Sequence, residues 1–319
     1  INGIDIARPD FSSSKAEVHD EQKVELVCRD CPKYIGQVLK GIDRNASTPI
    51  WMKEKLRRAG MRSFDPVVAV TNYVMLELGQ PLHAYDFDKL EGKISVRKST
   101  ELEKLRLLDG NEIAIEQGSV LITDEAGPIG LAGIMGGQRT AVSASTGSVF
   151  LESAFFLPIS LSGKARAHGL STDASHRFER GVDPNSVHHG IDKASQLIVD
   201  ICGGELSEVN LAGEIPLSDK SIVLDIDRLK KRLGIDINEK ETVTILANLG
   251  IKTSKKDNEI SCEIPSWRQD INEEADLTEE IIRIKGYDAL PTLDIRSVNK
   301  VNQSILSESQ KRNTSAKRF

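Results

Sequence analysis

The stretch Leu170–Pro184, LSTDASHRFERGVDP, decides how this chain is read. It crowds acidic, basic and imidazole side chains with a glycine between segments whose apolar residues recur periodically, and it has no helical or strand period of its own. Such a stretch is expected to be a site-forming loop, because a rigid scaffold can hold its polar side chains in place. An ordinary solvated loop has the same composition. The order of the residues sets it apart, as does its company: GQPLHAYD at Gly79–Asp86 and FLESAFF at Phe150–Phe156.

Working outward, Thr48 as N-cap, Pro49 at the first helical position and Gly60 beyond the last turn bracket a helix whose Trp51, Lys55 and Arg58 share a face. Val67–Val70 reads as a short strand running into Thr71, and Tyr73–Leu78 as a helix stopped by Gly79 and Pro81. A hairpin is expected over Leu105–Ile115 about Asp109-Gly110, with further strands at Ser119–Thr123 and Ser148–Glu152. Pro158–His168 reads as a helix closed by Gly169. Another helix starts at Asp183-Pro184 and carries Ile191, Ala194, Leu197, Ile198 and Ile201 at helical spacing until Gly203-Gly204.

Glu214–Asp219 makes a plausible linker. Beyond it come two short helices (Asp227–Leu233 and Asn238–Leu249), a strand pair turning at Lys256–Asn258, and an acidic helix over Asn272–Lys285. The fold class implied is α+β: a mixed, sheet-rich domain over residues 25–212, then a small helix-turn-helix-like α+β domain over 218–291. Residues 1–24 read as the remnant of a preceding domain and 292–319 as a tail into a further one. The acidic third helix argues against duplex DNA as a partner of the small domain.

Composition agrees. With 319 residues, 39% of them hydrophobic, the chain has enough apolar material for two cores. It starts at Ile1, shows no signal-peptide pattern and contains no apolar run of membrane-spanning length, so a piece of a larger cytoplasmic protein is expected, with no membrane partner. A net charge of −6 excludes a generic nucleic-acid coat but leaves room for a local basic face at Lys53, Lys55, Arg57, Arg58 and Arg62, which is otherwise a solvated helix face. Four scattered cysteines fit a reducing compartment, and the single Cys28–Cys31 CxxC lacks the second ligand pair that a zinc site requires.

The three motifs together closely resemble the tRNA-editing domain of the bacterial phenylalanyl-tRNA synthetase beta subunit, and the resemblance runs over about residues 25–291. It implies hydrolysis of tyrosine mischarged on phenylalanine tRNA, within an enzyme that joins phenylalanine to its tRNA using ATP. Neither the synthetic active site nor an ATP site falls in this chain. It implies as partners tRNA and an alpha subunit, in an α2β2 heterotetramer. The chemistry is coherent, since an apolar synthetic pocket rejects an added hydroxyl only about a hundredfold and a second site can supply the rest. That second site must select for the hydroxyl and needs a buried acceptor.

By resemblance Glu152 is that acceptor; a salt bridge to Arg166 or Arg177 is the competing reading. Gly136 (with Gly137), Thr172 and Ala174 match positions lining the amino-acid cleft, although the glycines also suit a positive-φ turn. His83 resembles the editing histidine, as a base or as an orienter of water. Thr71 and Asn72 match its neighbours, and Arg62 a basic position facing the terminal adenosine. Outside the pocket, Asp276, Glu279 and Glu280 fall at i, i+3 and i+4 with Asp270 just before them, a hard-oxygen set suited to magnesium or else a solvated acidic face. The resemblance implies Mg2+ shared with the alpha subunit. The runner-up function is a non-catalytic tRNA-scaffolding or subunit-interface module, which would need no Glu152 and His83 in one cleft.

Overall fold

A computed structural model of the chain describes residues 16, 18, 21–63, 65–215, 220–256, 258–292 and 306–317. Most of the N-terminal remnant and of the expected linker, and residues 293–305 of the tail, lie outside the described residues. The chain divides into two compact units. The first runs to Ser221 and includes Glu263–Asn272; the second comprises Ile222–Cys262 and the chain from Glu273.

The first unit is organised by the strand Ser148–Phe155, in which every residue after Ser148 is buried. A strand covered on both faces needs a nearly continuous apolar run, and VFLESAF supplies one interrupted only by Glu152 and Ser153. It pairs antiparallel with Lys33–Lys40 on one side and Leu82–Asp86 on the other, and Glu205–Leu206 and Asn210–Gly213 add to the far edge of Lys33–Lys40. The register sets Glu152 opposite Gly36 on one neighbour and His83 on the other, so these three residues share a face. The opposite face packs on two helices, Pro66–Leu78 and Ser186–Cys202, where Ser153 Oγ donates to the Val187 carbonyl at 2.8 Å. A second sheet, ordered Val24–Leu26, Ile94–Lys98, Val120–Asp124, Gly127–Leu131, Met135–Gly136, shares the same core. Its first pair is parallel and the others are antiparallel, which makes the unit α+β as expected.

The hairpin Lys104–Arg106 with Glu112–Ala114 and the long helix with buried Ile191, Ala194 and Ile198 match the sequence reading. Four local expectations do not. Val67–Val70 is no strand but the first turns of Pro66–Leu78: Asp65 accepts from the Val67 and Val68 amides at 2.8 and 3.1 Å, Pro66 takes the first helical position, and Gly79 closes the end at φ 74°. Thr48 is not the cap of Ile50–Arg58, because its hydroxyl is buried and accepts from Ser63 Oγ. Pro158–His168 is two one-turn helices broken at Gly163, whose φ is 75°.

The opening stretch is not a loop either. Asp173–Arg180 is a helix, begun by a capping box in which Thr172 Oγ1 accepts from the Ser175 amide and Ser175 Oγ accepts from the Thr172 amide. Its single large apolar side chain, Phe178, is buried edge-on against Phe156.

In the second unit the strands Ser221–Asp225, Glu259–Glu263 and Lys252–Lys256 form a sheet in that order. Helix Ile226–Leu233 is capped by Asp225 and ended by Gly234; helix Glu239–Asn248 is capped by Asn238. Leu229, Leu246, Ile260, Leu277 and Ile281 are buried in its core. No helix among the described residues is long and apolar enough to cross a membrane.

Because Asp65 supplies the side-chain acceptor for two amides at the start of the helix that carries Thr71 and Asn72, Asp65→Ala should cost about 1 kcal/mol. Urea denaturation read by circular dichroism checks this, and an unchanged midpoint would show that the cap contributes nothing.

Candidate active site

Glu152 sits at the middle of its strand, 7% exposed, and among the described residues no cation is paired with it. Its Oε2 accepts two phenolic hydroxyls, from Tyr34 at 2.8 Å and from Tyr85 at 2.7 Å. The competing salt bridge is therefore ruled out as the explanation of its burial, and Arg177 is engaged with Asp173 instead. Burial pushes the Glu152 carboxyl up from its ordinary range, and the two phenols pull it back. Burial and the adjacent carboxylate hold both phenols protonated far above the usual tyrosine range, so the direction of donation is fixed.

His83, cross-strand from Glu152, packs edge-on against Tyr85 with ring centroids 4.4 Å apart. Its Nε2 is buried without a hydrogen-bond partner among the described residues. Gly136 lies against this imidazole so closely that a Cβ there would overlap the ring. Burial pushes the imidazole down to about 4, so at neutral pH it is uncharged.

These residues line an inner cleft of about 420 Å³, walled by Glu152, His83, Tyr85 and Gly136 on the sheet strands, by Ile134 and by Ala174 on the short helix. A more open outer cleft of about 770 Å³ is lined by Arg62, Thr71, Asn72, Thr172, Asp173 and Ala174. Leu82 and Ala174 line both, so the two clefts adjoin. Apart from Gly137, each residue expected in the pocket lines one or both of these clefts. Two have hydroxyls already engaged: Thr71 Oγ1 donates to the Val68 carbonyl, and Thr172 Oγ1 donates to Ile134 while capping its helix. Gly137 is different, because a Cβ there would press on the Ile129 carbonyl and Leu105, which makes it a packing glycine.

Sequence reading missed Tyr34 and Tyr85. Tyr85 was within reach, two residues beyond His83 and therefore on the same strand face. Tyr34 lies in the strand Lys33–Lys40, which no turn signal announced, and only the register brings it to Glu152.

Asp276, Glu279 and Glu280 lie on the helix Glu274–Lys285, as their spacing implied. Asp270, in the first unit, is paired with Arg268 at 2.6 Å. In the second unit Asp276 accepts from the Glu273 amide in a capping box, Glu279 is exposed, and Glu280 is buried and paired with Arg283 at 2.6 Å. Among the described residues no group of three His, Cys, Asp or Glu side chains is placed to hold a metal.

Two family models define a class, domains of a tRNA synthetase. Residues 30–203 match the family model of the B3/4 domain and residues 222–287 that of the tRNA synthetase B5 domain. The phenylalanine–tRNA ligase beta subunit of Yersinia pestis is 44% identical over 301 residues, 93% of this chain and 38% of that protein. The beta subunit of Photorhabdus laumondii is 46% identical over 270 residues, 84% and 34%; that of Pseudoalteromonas translucida is 41% identical over 321 residues, 98% and 40%. The chain belongs to the family of bacterial phenylalanine–tRNA ligase beta subunits and spans well under half the length of these relatives.

His83 gives a pH signature. Between its ordinary value of 6.5 and about 4, the unfolded chain binds a proton that the folded chain refuses. Its contribution to stability is therefore complete above pH 6.5 and is lost as pH falls toward 4. Nuclear magnetic resonance titration of the His83 ring should give a midpoint near 4, and His83→Gln should remove that part of the acid sensitivity. A midpoint above 6 would mean that the ring is hydrated or charge-paired.

Proposed function

We propose that this chain carries the hydrolytic editing site of a phenylalanine–tRNA ligase and cleaves tyrosine mischarged onto phenylalanine tRNA. The observation that carries the reading is Glu152, a buried carboxylate on the wall of a cleft whose other polar side chains are His83 and Tyr85, with no donor to its Oε1 among the described residues. A tyrosine side chain entering the inner cleft satisfies that oxygen. Phenylalanine leaves it dry and unpaired, which costs about 1–3 kcal/mol or more. The outer cleft then takes the terminal adenosine, with Arg62 toward its phosphate and Thr71 and Asn72 along its wall.

In this reading water adds to the ester carbonyl while His83 Nε2, neutral at pH 7, accepts its proton. The carbon–oxygen bond to the ribose then breaks, the proton goes to the ribose oxygen, and the products are tyrosine and uncharged tRNA. Aminoacyl esters are labile, so placing water against the carbonyl supplies much of the acceleration. ATP belongs to the assembled ligase and is not bound here. The proposed partners are tRNA and the alpha subunit in an α2β2 assembly. A magnesium ion at Asp270, Asp276, Glu279 and Glu280 would need the arginine pairs to open and further ligands from the alpha subunit, so no step of the hydrolysis runs through it.

Glu152→Ala should slow hydrolysis of tyrosyl-tRNA by about 10²-fold while leaving the slow hydrolysis of phenylalanyl-tRNA nearly unchanged. Equal loss on both substrates would remove Glu152 as the selector. Gly136→Trp and Ala174→Trp should each abolish tyrosyl-tRNA hydrolysis by filling the inner cleft; parental rates in either variant would place the substrate elsewhere.

A further inference from the structure

Glu152 stands in an unusual electrostatic setting, a buried carboxyl held by two phenols with no cation paired to it among the described residues. We propose that Tyr34 and Tyr85 are positioning residues for substrate choice: by both donating to Oε2 they hold Glu152 ionised and turned, so that Oε1 is the acceptor offered to an incoming phenol. The inference rests on the editing reading and deepens it.

Geometry carries the argument. Two hydroxyls at 2.7 and 2.8 Å from one oxygen fix the carboxylate plane from both neighbouring strands, Lys33–Lys40 and Leu82–Asp86. Tyr34 is fully buried and Tyr85 1% exposed, so water cannot replace either donor without repacking. Gly36 opposite Glu152 leaves its space to the Phe150 ring, which closes the third side with carbon. An unpaired carboxylate in such a place would take up a proton, and its neutral form would be free to donate as well as accept. Selection for a hydroxyl would then blur.

The other titratable groups facing Glu152 are His83 and the buried Cys31 thiol. The first is held neutral above about 4 and the second is pushed up by burial and by Glu152 itself. The short helix and the second sheet present Ala174, Phe178, Ile122 and Gly130. Glu152 is thus the group whose charge the two phenols favour, against the burial that pushes its carboxyl up. Tyr85 also supports His83 through its ring, a task that phenylalanine can perform equally.

The test replaces each tyrosine by phenylalanine, deleting one oxygen and no packing. Hydrolysis of tyrosyl-tRNA and phenylalanyl-tRNA is measured from pH 6 to 8 for the parent chain, Tyr34→Phe, Tyr85→Phe and the double variant. Each single change should lower the tyrosine-to-phenylalanine rate ratio by about 10-fold, through loss of one hydrogen bond to a charged group. In the double variant the ratio should fall further as pH drops, while the parent ratio stays flat. Glu152→Gln should lower the ratio equally at every pH.

In parallel, the Glu152 carboxyl is titrated by carbon-13 resonance in glutamate-labelled chain and assigned with Glu152→Gln. Its midpoint should rise by about one unit or more in the double variant. An unchanged ratio with an unchanged midpoint overturns the proposal, as does an equal loss of rate on both esters. If the parent chain hydrolyses neither ester, the editing reading fails, and the carboxyl titration alone decides whether the phenols hold the charge. The single variants, which keep one donor each, decide the matter if the double variant does not fold.

Discussion

One interaction governs this molecule: a carboxylate stands between two sheets and is solvated by tyrosine hydroxyls instead of water. Removing a charge from water is among the costliest steps in folding, and a buried carboxylate without a cation survives only where hydrogen bonds replace its hydration. The strand register meets that demand. Glu152 must pair with Gly36 and His83 for Tyr34 and Tyr85 to reach it from either side, and a slip of its strand by one residue would turn Glu152 to the helix-covered face, away from both.

The walls follow from the same requirement. An acceptor works as a selector only where water is scarce, so the inner cleft is closed by apolar residues of the second sheet and by Phe178 and Ala174 on the short helix. The outer cleft, polar and more open, lies along the helix positioned by Asp65 and the helix begun by Thr172. The same helix thus contributes Ala174 to both parts of the groove, while its capping Thr172 stays in the outer one. Bulk at Ala174 or Gly136 acts on shape; changes at the tyrosines act on charge.

Much of this was legible in the sequence, and the losses have physical causes. The motif residues His83, Gly136, Glu152 and Ala174 were picked out one by one, and the fold brings them to one cleft. The stretch Leu170–Pro184 was expected to be a loop because eight helical residues with one large apolar side chain leave no period to detect; the capping box makes the helix. Val67–Val70 looked like a strand because four apolar residues fit either structure, and the deciding Asp65-Pro66 pair lies outside the run. Tyr34 could not be found at all, since its partner is more than a hundred residues away and only strand pairing joins them.

The central claim, that Glu152 recognises a phenol, is tested most directly by the crystal structure of the chain with a non-hydrolysable 3′-amide analogue of tyrosyl-adenosine. The account predicts the ligand's phenolic oxygen about 2.6 Å from Glu152 Oε1, both tyrosines still on Oε2, and the adenosine in the outer cleft. A ligand bound with its ring outside the inner cleft, or with the phenol turned away from Glu152, would contradict it.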